Sequence, residues 1–373
     1  MRTPENVGPA VLRSALLSWF DRHRRDLPWR RSRDPYAIWV SEVMLQQTQV
    51  STVIPYWHRF LERFPTMESL ARAELPEVLA LWRGLGYYAR ARHLHRAAKE
   101  IATHHRGVLP STAHELLALP GFGRYTAGAV ASIAFGEATP LVDGNVARVL
   151  ARAFEVEGAP GDRARERRLW ALAAALVAGP RPGDFNQALM ELGATVCGAD
   201  NPSCPSCPIR EHCGALSADR VRELPPPRVR PAKRPLRMAV GVWHRGGAVL
   251  LARRADRGLF GGLWELPAVE VAEKADRGAI ALAFRPLFER VDIGDPIGTV
   301  RRTLTHRALT LDLFEIHGRF VPRPNASIQE WRWVREGETG GLGMSTAMER
   351  ALSLTWDVRS VRPRTPRVRR VSG

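Results

Sequence analysis

Apolar residues recur every three or four positions through the first half of the chain, the period of an amphipathic helix. That pattern predicts helices over 11–24, 36–47, 50–64 and 90–105. Local start signals agree. Asp34 followed by Pro35 supplies an N-cap and a proline at the first helical position, and Thr112 with Glu115 forms a capping box. The windows 127–136 and 169–179 are apolar on all faces and rich in small residues, so they are predicted to be buried helices. Both are far shorter than the roughly 20 residues a membrane span needs.

Beyond residue 237 the period changes. Segments 238–245 and 248–253 flank Gly246-Gly247, a hairpin signal, and 298–305, 309–316 and 330–334 also alternate as strands. Helical patterns return at 275–288 and 345–354. Between the halves, residues 220–237 hold five prolines, seven basic residues and one acid, Glu223, the composition of a semi-extended linker. The expected organisation is an all-α domain over 1–219 ending in a cysteine-rich loop (197–213), and a basic, proline-rich linker over 220–236. An α+β domain over 237–357 follows, then an arginine-rich tail over 358–373, expected to be disordered.

Composition adds a partner. The 373 residues carry 55 basic against 38 acidic side chains, a net +17, and only Lys99, Lys233 and Lys274 are lysines. The excess is what a polyanion binder needs; an arginine-biased genome is the plainer explanation. Cations of the linker and tail would gain by counterion release beside a phosphate backbone. The first ten residues have no apolar signal segment, so a cytoplasmic, nucleoid-associated monomer with no membrane partner is expected.

All four cysteines fall in one 17-residue window, spaced Cys197-x6-Cys204-x2-Cys207-x5-Cys213. Such crowding without a secretory segment favours metal over disulfides. One compact loop with uneven spacing suits a [4Fe–4S] cluster. Zinc, which normally uses two C-x2-C knuckles, and free thiols remain as alternatives.

Leu119-Pro120-Gly121-Phe122-Gly123-Arg124-Tyr125 lies between two helices, and Gly121 and Gly123 would permit positive φ in a turn whose amides approach a DNA phosphate. Alone, it is also an ordinary helical corner. About twenty residues on, Pro140-Leu141-Val142-Asp143-Gly144-Asn145 opens another helix. Together with the cysteine spacing, these segments resemble the helix-hairpin-helix Gly/Pro…Asp glycosylase superfamily and its iron–sulfur loop. Within it, Trp39-Val40-Ser41-Glu42-Val43-Met44-Leu45-Gln46-Gln47-Thr48-Gln49-Val50 resembles the signature of the MutY family of adenine DNA glycosylases. So do 27–30, 84–90 and 185–190, and the likeness covers most of 10–355.

The resemblance implies a two-part fold, an all-α helix-hairpin-helix domain with a [4Fe–4S] loop and a C-terminal Nudix-like α+β domain. It also implies removal of adenine mispaired with 8-oxoguanine or guanine in double-stranded DNA, within base excision repair. Its catalytic centre would hold Glu42, Asp143, Tyr125 and Asn145. Glu42 sits among Ile38, Trp39, Val43 and Met44, so desolvation should raise its pKa to suit the acid that protonates adenine N7. A buried Glu paired with an Arg is the plainer alternative. Asp143, ahead of a helix, should stay ionised on amide donors and stabilise an oxocarbenium-like cation, unless it is only an N-cap. Relatives that also cleave the strand carry a Lys where Tyr125 stands; a phenol cannot form a Schiff base, so a monofunctional glycosylase is expected.

The base must be extruded. The resemblance assigns Arg25, Trp29, Arg30, Leu45, Val50 and Gln187 to its pocket, and Gln47, Thr48, Leu85 and Tyr87 to the opposite-base side. Gly261-Gly262-Leu263-Trp264-Glu265-Leu266-Pro267 resembles the approach to a Nudix box, but the helix that should follow, near 279–284, lacks carboxylates for a divalent cation. Hydrolase activity is therefore not expected. In the lesion-reading loop the family's Phe-Ser-His corresponds to Leu304-Thr305-His306. Thr305 keeps a hydroxyl for the oxidised base, whereas Leu304 puts the packing of the loop in question. An ordinary hairpin turn is the plainer reading of Thr305 and His306. The competing function from another class is a non-catalytic damage-binding scaffold, which would need neither Glu42 nor Asp143.

Overall fold

The computed structural model describes residues 8–227, 232–318 and 327–361. The linker positions 228–231 and the tail beyond 361 lie outside the described residues. The chain forms two compact units, the first from Met1–Arg72 and His93–Arg230, the second from Ala73–Arg92 and Pro231–Gly373.

The first unit is helical where the three-to-four-residue period runs. Helices span Pro9–His23, Pro35–Leu45 and Val50–Arg63, within a residue or two of the expected ends. The expected 90–105 helix spans Ala89–His104. The Asp34 carboxylate accepts from Tyr36 N at 2.9 Å, a cap worth about 1 kcal/mol. Tyr36 through Met44 are buried on every face of the helix that follows. A helix apolar all round must lie inside, and Glu42 goes inside with it. Thr112 caps its helix as well: Glu115 N donates to Thr112 Oγ1 at 3.3 Å, and the Thr112 hydroxyl donates to Glu115 Oε2 at 2.6 Å, a side-chain bond in place of the expected box's reach to the Thr112 backbone.

Helices Arg124–Phe135, Gly144–Ala153, Arg163–Val177 and Pro182–Thr195 bury one continuous apolar core, including Leu150, Leu169, Phe185 and Leu189, together with Leu16 and Phe20 of the first helix. Both small-residue windows lie in it as expected. No helix among the described residues is long and apolar enough to cross a membrane.

The second unit holds two sheets. Strands are β1 (Arg234–Val242), β2 (His244–Arg245), β3 (Ala248–Arg254), β4 (Trp264–Glu265), β5 (Ala268–Glu270), β6 (Asp292–Thr303), β7 (Arg307–His317) and β8 (Ile328–Arg335). One sheet has the order β5-β1-β7-β6, with β1 parallel to β7 from Arg234↔Arg307 to Val242↔Glu315. The other runs β2-β3-β4, with β8 on β3. The expected hairpin over 238–253 therefore needs correction: the chain breaks at Trp243, and only the two-residue β2 pairs with β3 across the Gly246-Gly247 turn. Trp243 packs edge-on to Phe288 at 5.5 Å in the core around β1, so the residue that breaks the strand is held by burial. Helices span Arg277–Ala283, half the expected length, and Thr346–Val361, which runs past the expected end of the domain at 357.

Candidate active site

Glu42 lies on the third turn of the buried Pro35–Leu45 helix and is 5 % exposed. It is bonded to Tyr125, whose Oη donates to Glu42 Oε2 at 2.7 Å from the first turn of the Arg124–Phe135 helix. Tyr125 Oη also lies 3.5 Å from Met190 Sδ. Burial lifts the Glu42 carboxyl to about 7; the Tyr125 bond works against the rise, Asp143 adds to it and Arg30 opposes it. This is the environment a general acid requires, and its cause is the one the apolar neighbours suggested.

Asp143 caps the Gly144–Ala153 helix: Val146 N donates to Oδ1 at 2.7 Å and Asn145 Nδ2 to Oδ2 at 3.1 Å. The donors expected for its ionised form are in place, yet burial outweighs them and its pKa is raised rather than held low. The N-cap reading of Asp143 is thus correct, and the cap lies close enough to Glu42 to act on its carboxyl. Tyr125, close to Glu42 and Asp143, is pushed well above a phenol's ordinary value by burial and by both carboxylates, so it stays a donor.

Arg148, one turn after Asn145, joins the site through contacts the sequence pattern does not show. Its Nη2 donates to Asn145 Oδ1 at 2.9 Å and to Gly193 O at 2.7 Å, and its Nε to Cys197 O at 2.8 Å. A Cβ on Gly193 would stand 2.6 Å from Asn145 Cβ, so only glycine lets the Pro182–Thr195 helix come this close to Asn145. Of the expected base pocket, Trp29 is buried (6 %) and packs edge-on to Trp57 at 6.1 Å. Leu45, Val50 and Gln187 are half-buried. Arg25 and Arg30 are brought together by Glu191, a second residue the pattern did not reveal.

At the hairpin the two glycines differ. Gly121 takes φ +81°, and a Cβ there would stand 2.5 Å from His93 Cβ. Gly123, with φ −93°, is the extended N-cap of the Arg124–Phe135 helix and faces open space, so only one of the pair needs left-handed backbone. Gln47, exposed just beyond the Glu42 helix, sits at φ +58° without being glycine; Thr48 beside it is half-buried. Such backbone costs about 1 kcal/mol or more and clusters at functional sites.

In the second unit, Leu85 is buried, while Tyr87 is 46 % exposed and also left-handed, at φ +49°. Tyr87 Oη and Thr305 Oγ1 share a hydrogen bond of 2.9 Å. Thr305 and His306 are exposed on the turn joining β6 to β7, so the turn reading is correct and the loop also presents a hydroxyl pair. Leu304 packs against the core that contains Val300 and Leu309, which answers the question its missing ring raised. Glu265, in the run resembling the Nudix approach, is fully enclosed, bonded to Arg254 at 2.8 Å and raised to about 7 by burial; that is a structural role.

The four cysteines are free thiols lining one cavity with Arg152, Pro202 and Arg210. Arg152 Nη1 lies 3.3 Å from Cys197 Sγ and 2.7 Å from Gly198 O. Among the described residues no three His, Cys, Asp or Glu side chains meet at a spacing that holds one metal ion. Burial pushes Cys207 up to about 12 and raises Cys213, so thiolates there would need added positive charge.

Comparison with known proteins agrees with this geometry. Residues 40–175 match the HhH-GPD superfamily of base excision DNA repair proteins, and 238–354 match the NUDIX domain. The adenine DNA glycosylase of Homo sapiens is 39 % identical, covering 91 % of this chain and 73 % of the human protein. That of Mus musculus is 38 % identical, covering 94 % and 78 %. The structure of a thermostable thymine-DNA glycosylase superposes with a TM-score of 0.51 at 30 % identity, over 56 % of this chain and 97 % of that one. With two domain matches in the expected order and this identity along most of its length, the chain belongs to the adenine DNA glycosylase family.

Proposed function

We propose that the protein is a monofunctional DNA glycosylase that removes adenine mispaired with 8-oxoguanine or guanine from duplex DNA. The observation that carries the chemistry is the buried Tyr125–Glu42 bond of 2.7 Å between two helices, with Asp143 close enough to raise both groups. Protonated Glu42 gives its proton to adenine N7 while the C1′–N9 bond breaks and its electron pair leaves with the base. Tyr125 donates to the carboxylate that remains. Asp143, held by Val146 N and Asn145, offsets the positive charge growing on the sugar. Water then adds to C1′ and its proton returns to Glu42, leaving free adenine and an abasic site. Tyr125 has no amine with which to continue to strand cleavage.

The exposed pair of Tyr87 and Thr305 supports readout of the opposite base, since two hydroxyls can serve donor and acceptor alike. The cysteine cavity fits a [4Fe–4S] cluster: four soft donors come from one loop, and the Arg152 guanidinium stands where an anionic thiolate cluster would need a cation. Bound there, the cluster would stiffen loop 197–213, a structural contribution to DNA docking.

Single-turnover reactions on duplexes with adenine opposite 8-oxoguanine, guanine or thymine test the proposal. Adenine should be released opposite the first two only, with strand breaks only after alkali. Tight binding without release would leave a damage-binding scaffold instead.

A further inference from the structure

A buried carboxylate that this chemistry leaves without a part is Glu191, on the Pro182–Thr195 helix one turn after Gln187. Its side chain is 0 % exposed, yet it takes donors from two arginines. Glu191 Oε1 accepts from Arg25 N at 3.0 Å and Arg25 Nε at 2.7 Å; Oε2 accepts from Arg25 Nη2 and from Arg30 Nη2, both at 2.8 Å. Arg30 Nη1 in turn donates to Arg25 O at 3.0 Å. Two guanidiniums five positions apart, which would repel if free, are thus locked around one anion, with the backbone of Arg25 fixed by the same oxygen.

We infer that Glu191 is a positioning residue for base recognition, holding Arg25 and Arg30 as one bonded unit on the wall that receives the extruded adenine and halving the positive charge they turn on Glu42. The inference rests on the glycosylase reading above. Three observations point the same way. Burying a carboxylate costs several kcal/mol unless it is paired, so the fold spends that burial on holding these two side chains. Burial alone would raise Glu191, but the bonds from Arg25 and Arg30 prevail and hold it near 2, so the anion persists across the working pH range. Arg30 is also one of the groups acting on the Glu42 carboxyl, which it lowers. With Glu191 neutral, that cation would act uncompensated.

The test uses full-length Glu191→Gln and Glu191→Asp proteins beside wild type, each checked for fold by thermal melting. Adenine release is followed in single turnover from pH 5 to 9, and binding is measured on duplex carrying an abasic site, where no base occupies the pocket. Glu191→Gln should move the alkaline fall of the release rate to lower pH by about one unit, because the uncovered guanidinium favours ionised Glu42. It should slow release by about 10–100-fold, as misplaced recognition groups do, and leave abasic-site binding within about threefold. Glu191→Asp, which keeps the charge but not the reach, should slow release while leaving the fall at its wild-type pH. An unmoved profile in a folded Glu191→Gln protein overturns the inference, as does wild-type release in both variants. If Glu191→Gln does not fold, Glu191→Asp decides: wild-type release, or a shifted profile, overturns the proposal. Failure of the wild type to release adenine would instead sink the glycosylase reading, so the two failures are distinct.

Discussion

Among single residues, the decisive relation is between Glu42 and the three groups acting on it, Tyr125, Asp143 and Arg30. A folded-state pKa near 7 against an ordinary 4.5 corresponds to roughly 3 kcal/mol of preference for the neutral acid. The sign has a consequence for stability. Because the folded value is raised, the stabilisation is complete below about 4.5 and is lost as the pH climbs through about 7. Glu42→Gln, which keeps shape and neutrality, should therefore abolish release yet make the protein more stable at pH 8, by about 1–3 kcal/mol, with the gain fading below pH 5. Denaturant melts at the two pH values check this. Tyr125→Phe removes the bond that lowers Glu42, so it should raise the pH at which release falls off and slow release about tenfold. A fall at unchanged pH would mean that the phenol is only packing.

At the scale of elements, the hairpin glycines make opposite predictions. Gly121→Ala puts a Cβ against His93 at positive φ and should lose about 1–3 kcal/mol of stability together with DNA affinity. Gly123→Ala meets open space at φ −93° and should lose little stability. Chemical denaturation of both separates them. The helices were legible in the sequence because each repeats a local period and is punctuated by local signals such as Asp34-Pro35 and Thr112 with Glu115. What was not legible is partnership at distance. Glu191 joins Arg25 across 166 positions, and nothing local to either marks the other. Arg148 lies one turn after Asn145, so its helical spacing was available, but its bond to Cys197 O was not. The split of β1 from β2 at Trp243 was hidden for a related reason: alternation shows that residues are extended, not which sheet receives them.

For the whole molecule, both parts of the two-part architecture follow from the change of period near residue 237. Ala73–Arg92, expected in the helical half, nevertheless belongs by its contacts with the C-terminal strands. Tyr88 Oη donates to Met344 O at 2.6 Å, Arg92 Nη1 to Gly261 O at 2.8 Å, and Arg83 pairs with Glu349. A helical period shows which face is buried, not against which core. The unit that carries Thr305 therefore carries Tyr87 with it. The charge of +17 also acts at this scale. Deleting the residues after Arg359 removes five arginines and no acid, and should flatten the salt dependence of duplex binding. An unchanged slope would show that the tail does not meet phosphate.

Base release by this mechanism requires Glu42 to act as an acid that is protonated near neutrality. Its most direct test is the pH dependence of single-turnover adenine release from an 8-oxoguanine:adenine duplex. Release should be level at low pH and fall about tenfold per unit above about 7, with no release at any pH from Glu42→Gln. A rate that holds steady through pH 9, or a Glu42→Gln protein that still frees adenine, would contradict it.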